Sequence, residues 1–210
     1  MVMDSLHYSD GERDYLIAGN RSQTGYREGV GAAALFKGIY GFTQLSIYHV
    51  VVTDFHNHCL RMVDRITHAT SAFSGQCGSR GYKDGHTALF ARPHSVRIDQ
   101  QNINQILVTD GVYGGAVRTV DVISGFVKTF VKSKLLDNIN DLTQEQRGDI
   151  FVTARNSLQK IGYDDKRITV IAGSSENSYG YRDSTLLSSL FWGPRDVLFI
   201  GLETLLVADD

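Results

Sequence analysis

The residues best suited to metal chemistry are His56-Asn57-His58-Cys59, two imidazoles and a thiol within one short segment. Imidazole and thiolate suit zinc, and alternate residues of an extended segment point to one side, which would place His56 and His58 together. The same cysteine could instead pair with Cys77, and a disulfide would remove the thiolate. Nucleophilic catalysis has less support, because Ser74 and Ser174 lie beside glycines but lack the Gly-x-Ser-x-Gly frame of a strand-to-helix turn. Gly78-Ser79-Arg80-Gly81 is not followed by the Lys-Ser/Thr of a phosphate loop. Asp164-Asp165 and Asp209-Asp210 read as turn acids, since no loop of alternating oxygen ligands surrounds them. The expectation is a protein with no catalytic residues, no metal and no cofactor.

These residues belong to a longer recurring pattern. Leu16-Ile17-Ala18-Gly19, Gly25-Tyr26-Arg27-Glu28-Gly29, Leu35-Phe36, Val51-Val52-Thr53-Asp54 and Val63-Asp64 return as Phe73-Ser74-Gly75, Gly81-Tyr82-Lys83-Asp84-Gly85, Leu89-Phe90, Leu107-Val108-Thr109-Asp110 and Val120-Asp121. A third copy is eroded around Phe151-Val152-Thr153-Ala154. A fourth is partial, with Ile171-Ala172-Gly173, Gly180-Tyr181-Arg182-Asp183-Ser184, Leu190-Phe191 and Leu206-Val207-Ala208-Asp209. The Thr-Asp ends at Asp54, Asp110, Ala154 and Asp209 are 56, 44 and 55 positions apart, a period that suits a propeller blade or a solenoid unit.

Residue type separates the two. The repeated cores are short runs rich in Val, Ile, Phe, Leu and Thr bounded by Gly, Asp, Asn and Ser, and no segment carries a long apolar stripe at helical spacing. The best copy predicts strands near residues 96–99, 105–109, 116–121 and 126–131, and four antiparallel strands per unit make a propeller blade. Pro93 and Pro194 fall at equivalent places ahead of a first strand, where proline costs no ladder donor. The predicted fold is therefore all-β, a β-propeller with about four blades' worth of chain in one domain, 1–210. Residues 1–18 end a blade, 35–75 and 89–132 form blades, 136–173 form a degenerate blade, and 190–210 supply the first half of another.

These motifs resemble the NHL-repeat β-propeller family, whose blade places Val-Ala-Asp at the end of the second strand and Asn-His-x-Ile-Arg at the start of the third. Val51-Val52-Thr53-Asp54-Phe55-His56-Asn57-His58-Cys59-Leu60-Arg61 follows that pattern, and Leu206-Val207-Ala208-Asp209 follows its first half. Tyr113-Gly114-Gly115-Ala116-Val117-Arg118 departs from Asn-His but keeps the arginine, and the third copy keeps Leu158-Gln159-Lys160-Ile161. The resemblance gives His58 a structural slot. It also brings in the peptide-amidating lyases of this propeller class, which use metal-bound histidines. Only His94 here takes an inner-strand position.

Aligning Val2-Met3-Asp4 with Met62-Val63-Asp64 makes the chain open at the end of a third strand, with a fourth over 14–18, and it closes after a second strand. Either the two ends complete one blade of a four-blade ring, or the chain is part of a ring of five or six blades. An open arc would leave edges prone to self-association.

At 210 residues the chain can bury roughly 70% of its unfolded surface. A formal charge of -2 offers no broad basic field for nucleic acid, no apolar run is long enough for a membrane helix, and the amino terminus lacks the basic start and apolar core of a signal peptide. Cys59 opens a third strand and Cys77 follows the end of the fourth, and such positions lie side by side in an antiparallel pair. A Cys59–Cys77 bridge would favour an extracellular or secretory setting over a cytoplasmic one, and two reduced thiols are the alternative. Asn20-Arg21-Ser22 is a glycosylation triplet of the kind chance supplies.

Two sets of residues are candidates for binding. Tyr26, Tyr82, Tyr181 and His56 lie on loops that share one face in propeller topology, and tyrosines supply contact area at low entropic cost. The competing reading is structural, with tyrosine packed between blades and the following acid capping a turn. The second set follows the proline slot and enters the inner strand near the axis: Tyr40, His94, Asn140 and Arg195, four unlike polar residues in an otherwise repeated frame. They would recognise a small polar ligand or a peptide tip, or line a wet channel. The expected function is a non-enzymatic module that binds a protein, peptide or ligand within a larger extracellular protein. The alternatives are a metal-dependent lyase or hydrolase and an RNA-binding module; for the last, Arg27, Lys83 and Arg182 are offset by Glu28, Asp84 and Asp183.

Overall fold

The structure is a computed structural model describing residues 4–111, 114–174, 178–201 and 204–210. Val2, Met3 and Tyr113, which the sequence reading used, lie outside them. The chain is built from strands β1 (Ser5–Ser9), β2 (Asp14–Gly19), β3 (Gly29–Val30), β4 (Ile39–Gln44), β5 (His49–Asp54), β6 (Cys59–Asp64), β7 (Ala69–Ser74), β8 (Pro93–Ile98), β9 (Gln105–Asp110), β10 (Ala116–Asp121) and β11 (Val127–Lys132). They continue with β12 (Ile139–Gln144), β13 (Ile150–Ala154), β14 (Asn156–Ile161), β15 (Ile168–Ser174), β16 (Asp196–Gly201) and β17 (Thr204–Ala208), and short 3-10 turns occupy Phe55–Asn57, Lys134–Leu136 and Leu186–Ser188.

The sheet orders are β1-β2, β3-β7-β6-β5-β4, β11-β10-β9-β8, β12-β13-β14-β15 and β16-β17. Four consecutive antiparallel strands in sequence order is the blade expected from the repeat, and the third strand of the best copy spans Ala116–Asp121 as read. The first begins earlier than expected, with Pro93 as its opening residue. Pro194 is buried and lies two residues ahead of β16.

The amino-terminal register differs from the sequence reading. A slip in pairing falls between Leu6 and His7 in β1–β2, as it does between Leu60 and Arg61 in β6–β7. His7 is therefore the counterpart of Arg61, and Asp10, not Asp4, is the counterpart of Asp64. Turn chemistry agrees: Glu12 N and Arg13 N donate to Asp10 Oδ1, just as Ile66 N and Thr67 N donate to Asp64 Oδ1 and Ile123 N and Ser124 N to Asp121 Oδ1. These amides hold all three carboxyls below the ordinary carboxylate range, with the Ser124 hydroxyl foremost at Asp121. The Met3-Asp4 pair imitates Val63-Asp64 in sequence but lacks the turn that follows.

The strands divide between two compact units, 1–96 with 120–128 and 97–119 with 129–210. In the first, Leu6, Ile17 and Ala18 pack with Phe36, Val50, Val52 and Val63, so the alternate residues Val50 and Val52 of β5 face a core shared with β2 and β6. The second holds one core around Leu107, Val117, Leu142, Val152 and Ile161, and a smaller one in which Val197 meets Phe151 and Leu158.

The linkers between blades are ordered by their glycines. Gly29 and Val30 form β3 on the outer edge of β7, and Gly85 exchanges both backbone hydrogen bonds with Val127 of β11, at 2.8 and 3.2 Å. Gly75 has φ 82° and a Cβ there would lie 2.6 Å from the Phe90 ring, and Gly173 has φ 77° with its Cβ position 2.6 Å from the Phe191 ring, so the glycine repeated at the ends of β7 and β15 is required by close packing as well as by its backbone.

Candidate functional site

The repeat's Asp and Arg meet inside the blade. Asp54 ends β5 and Arg61 lies on β6; their side chains approach to 3.1 Å with neither exposed, and Asp110 and Arg118 do the same at 3.1 Å. Asp54 also accepts from Lys37 N at 2.8 Å and from Asn57 Nδ2 at 2.9 Å, while Asn57 Nδ2 donates to Gly25 O at 2.8 Å. Burial pushes the Asp54 carboxyl up, and the Asn57 amide, the Lys37 N–H and the Arg61 guanidinium pull against it. Arg61 Nη2 donates to Arg27 O at 3.2 Å, and its guanidinium lies 4.7 Å from the Tyr26 ring centroid and 5.3 Å from that of Phe36. Tyr26 thus covers a buried cation. In the third copy both charges are gone together: Ala154 and Gln159 are buried in their place, and Gln159 Nε2 donates to Leu135 O at 2.8 Å.

The remaining loop-face candidates fall in different settings. Glu28, expected to cap its own turn, instead accepts from Ala72 N of β7 at 3.0 Å. Tyr82 is half-buried. Tyr181 is exposed and stacks on Trp192 with centroids 6.2 Å apart, its hydroxyl donating to Asp210 O. His56 is exposed and packs edge-on against Phe55 at 4.8 Å.

His58 takes a left-handed backbone conformation with φ 58°, and burial lowers its pKa. Cys59 is bonded to Cys77 with Cα atoms 5.0 Å apart, so the thiolate of the zinc reading is committed to a disulfide. Among the described residues no three His, Cys, Asp or Glu side chains are grouped for a metal. Ser74 is buried, its hydroxyl donating to Gly125 O at 2.8 Å, and Asp165 Oδ1 accepts from Arg167 N at 3.0 Å as a turn acid.

The four axial candidates occupy one repeat position: second in β4, β8 and β12, and immediately before β16. The repeated threonine holds that position from the preceding blade, since Thr53 Oγ1 donates to His94 O at 2.9 Å and Thr109 Oγ1 to Asn140 O at 2.7 Å. Within the first unit, the Tyr40 ring packs at a tilt against His94 at 4.7 Å and against Phe55 at 4.5 Å, and the Arg92 guanidinium lies 5.9 Å from the Phe55 ring.

Within the second unit, Asn140 and Arg195 line an open pocket of about 490 Å³ together with Asn138, Arg155, Asn156 and Asp210. Asn140 Nδ2 donates to Pro194 O at 2.9 Å, Arg195 Nη2 pairs with Asp210 at 2.6 Å, and Arg155 with Asp137 at 2.7 Å. With its arginines already neutralised, the pocket presents mainly amide donors and acceptors. Asn138, Arg155 and Asn156 were not anticipated from the sequence; the first two lie at turns of the eroded copy with φ 53°, and Asn156 opens β14.

Repeated four-stranded antiparallel sheets with this internal frame make the fold that of a β-propeller. No family model matches the chain, and no curated protein matches it. Solved structures do. An auxiliary nutrient binding protein from Bacteroides thetaiotaomicron is similar over 85% of this chain and 37% of its own, with 10% identity and a TM-score of 0.58. A nidogen/laminin complex is similar over 70% and 52%, with 14% identity and a TM-score of 0.52. A streptogramin B lyase is similar over 77% and 45%, with 14% identity and a TM-score of 0.50. At such identities the likeness concerns the fold alone, and the chain spans 37% to 52% of those proteins' lengths.

Proposed function

We propose that this chain is a non-catalytic binding module of the NHL type that takes a small, neutral, polar ligand such as a saccharide. The observation that carries this reading is the pocket formed by Asn138, Asn140 and Asn156 beside the paired Arg155 and Arg195. Asparagine amides offer both donors and acceptors to hydroxyl groups, and concave sites with a few convergent polar groups are suited to small ligands. Tyr40 against His94 supplies a second, aromatic surface at the same repeat position. A neighbour described as nutrient binding is consistent with such a role. The Cys59–Cys77 disulfide fits an oxidising, extracellular setting.

Calorimetric titration with neutral mono- and disaccharides tests the proposal. Saturable binding that is lost in Asn140→Ala and Asn156→Ala variants of unchanged circular dichroism is the expected result. Absence of binding across the panel, or binding indifferent to both substitutions, would sink it.

A further inference from the structure

The triplet Asn20-Arg21-Ser22 lies in the linker between β2 and β3. Alone among the chain's asparagines, Asn20 is followed two residues later by a Ser or Thr. Backbone bonds pin this linker on both sides, Gly19 N donating to Gly31 O at 3.1 Å and Gly25 N to Phe36 O at 2.9 Å. Between the two anchors Asn20 is half-buried and residues 21–24 are exposed. Ser22 N donates to Asn20 Oδ1 at 2.9 Å, and Ser22 Oγ donates to the same oxygen at 2.8 Å. A backbone N–H only donates, so the atom it meets is the carbonyl end of the carboxamide. The other end, Nδ2, has no hydrogen-bond partner among the described residues. Other asparagines spend theirs inside the fold: Asn57 Nδ2 donates to Gly25 O and to Asp54, and Asn140 Nδ2 to Pro194 O.

We propose that Asn20 is an N-glycosylation site, its Nδ2 accepting an oligosaccharide from a lipid-diphosphate donor. In the transfer the bond from the sugar's anomeric carbon to the diphosphate oxygen breaks, and its electron pair stays on the departing lipid diphosphate. Nδ2 forms the new bond to that carbon, and one Nδ2 proton passes to a base of the glycosyl transferase. Because Nδ2 makes no bond in the fold, the glycan displaces none, and the pinned linker carries it on the surface, where such a bulky, hydrated group belongs. The next copy supplies a second mark of the same compartment. The linker from Gly75 to Gly81 has the length of the one from Gly19 to Gly25, and its Cys77, at the place of Arg21, is bonded to Cys59. The assignment rests on the oxidising, extracellular setting that this disulfide fits, and it is independent of the asparagine-lined pocket.

The test expresses the whole chain in animal cells behind a cleavable secretory leader and treats both the exported and the retained protein with peptide-N-glycosidase. The expected result is a heavier band that the enzyme returns to the mass of the bare chain, with Asn20 converted to aspartate in the peptide mass spectrum. The shift should be absent in Asn20→Gln and, with the asparagine still present, in Ser22→Ala, and it should be kept in Ser22→Thr. Circular dichroism of the glycosylated and enzyme-treated proteins should coincide. An unshifted chain, exported or retained, overturns the proposal, as does a shift that survives Asn20→Gln. The Cys59–Cys77 bond is read on the same samples by intact mass with and without reductant, so a bridged chain with a bare Asn20 overturns the glycan alone and leaves the oxidising setting standing.

Discussion

Arg61 Nη1 stands 3.1 Å from Asp54 Oδ2, and neither side chain reaches solvent. Two ions taken out of water together are tolerable when hydrogen bonds complete their shells, but one left alone is costly. Arg61→Gln should therefore destabilise the fold by about 3–5 kcal/mol. Adding Asp54→Ala should recover part of that loss, because the pair would then match Ala154 and Gln159 of the eroded copy. Denaturant unfolding of the two singles and the double supplies the cycle, and additive losses would contradict it.

The Cys59–Cys77 bond joins residues 18 apart in sequence. Closing a loop of that size restrains the unfolded chain by about 3 kcal/mol. Reduction with alkylation should lower unfolding stability by a comparable amount, and the intact mass of the alkylated protein, taken with and without prior reductant, checks the bond directly.

Gly75→Ala should cost about 1–3 kcal/mol through a strained positive φ, with added displacement of the Phe90 ring that lies 2.6 Å from the new Cβ position. Gly11, whose Cβ position meets nothing within 4 Å, isolates the backbone part of that cost. A larger loss at Gly75 than at Gly11 is the expected order of unfolding midpoints.

Lys160 Nζ lies 2.5 Å from Asp149 Oδ2. The lysine lowers the Asp149 pKa from its ordinary 3.8, and Asp149 raises that of Lys160 from its ordinary 10.5. The carboxylate's contribution to stability is thus complete above pH 3.8 and is lost as pH falls through the lower folded value. The lysine's is complete below pH 10.5 and is lost as pH rises through the higher folded value. Asp149→Asn should flatten both limbs of the stability profile measured from acid to alkaline pH, and a profile unchanged by the substitution would refute the assignment.

The blade was legible because side-chain alternation and turn residues repeat: β10 and the fourth strand at 14–19 fall where Val-Asp and the terminal glycine placed them. The Asp–Arg pair was harder to see. Its members stand 7 apart at 54 and 61 but 8 apart at 110 and 118, since the intervening turns differ. Its sequence signal was the joint loss at Ala154 and Gln159. The position shared by Tyr40, His94, Asn140 and Arg195 could be read from the repeat, whereas Asn138, Arg155 and Asn156 are brought beside two of them by turns whose motif has eroded. The β1 register slipped because two residues, Met3-Asp4, imitate a strand end that only the amides after Asp10 define.

Gly29-Val30 on β7 and Gly85 on β11 give the linkers a second role. A segment that in sequence is only a connector acts as a selvedge, finishing the outer margin of the sheet it enters so that the margin cannot unravel or catch on another chain. Lengthening such a connector should therefore be tolerated beyond the glycine and not before it. Ser184 stands where the fourth copy would have that glycine, so this linker carries a side chain at the hem position.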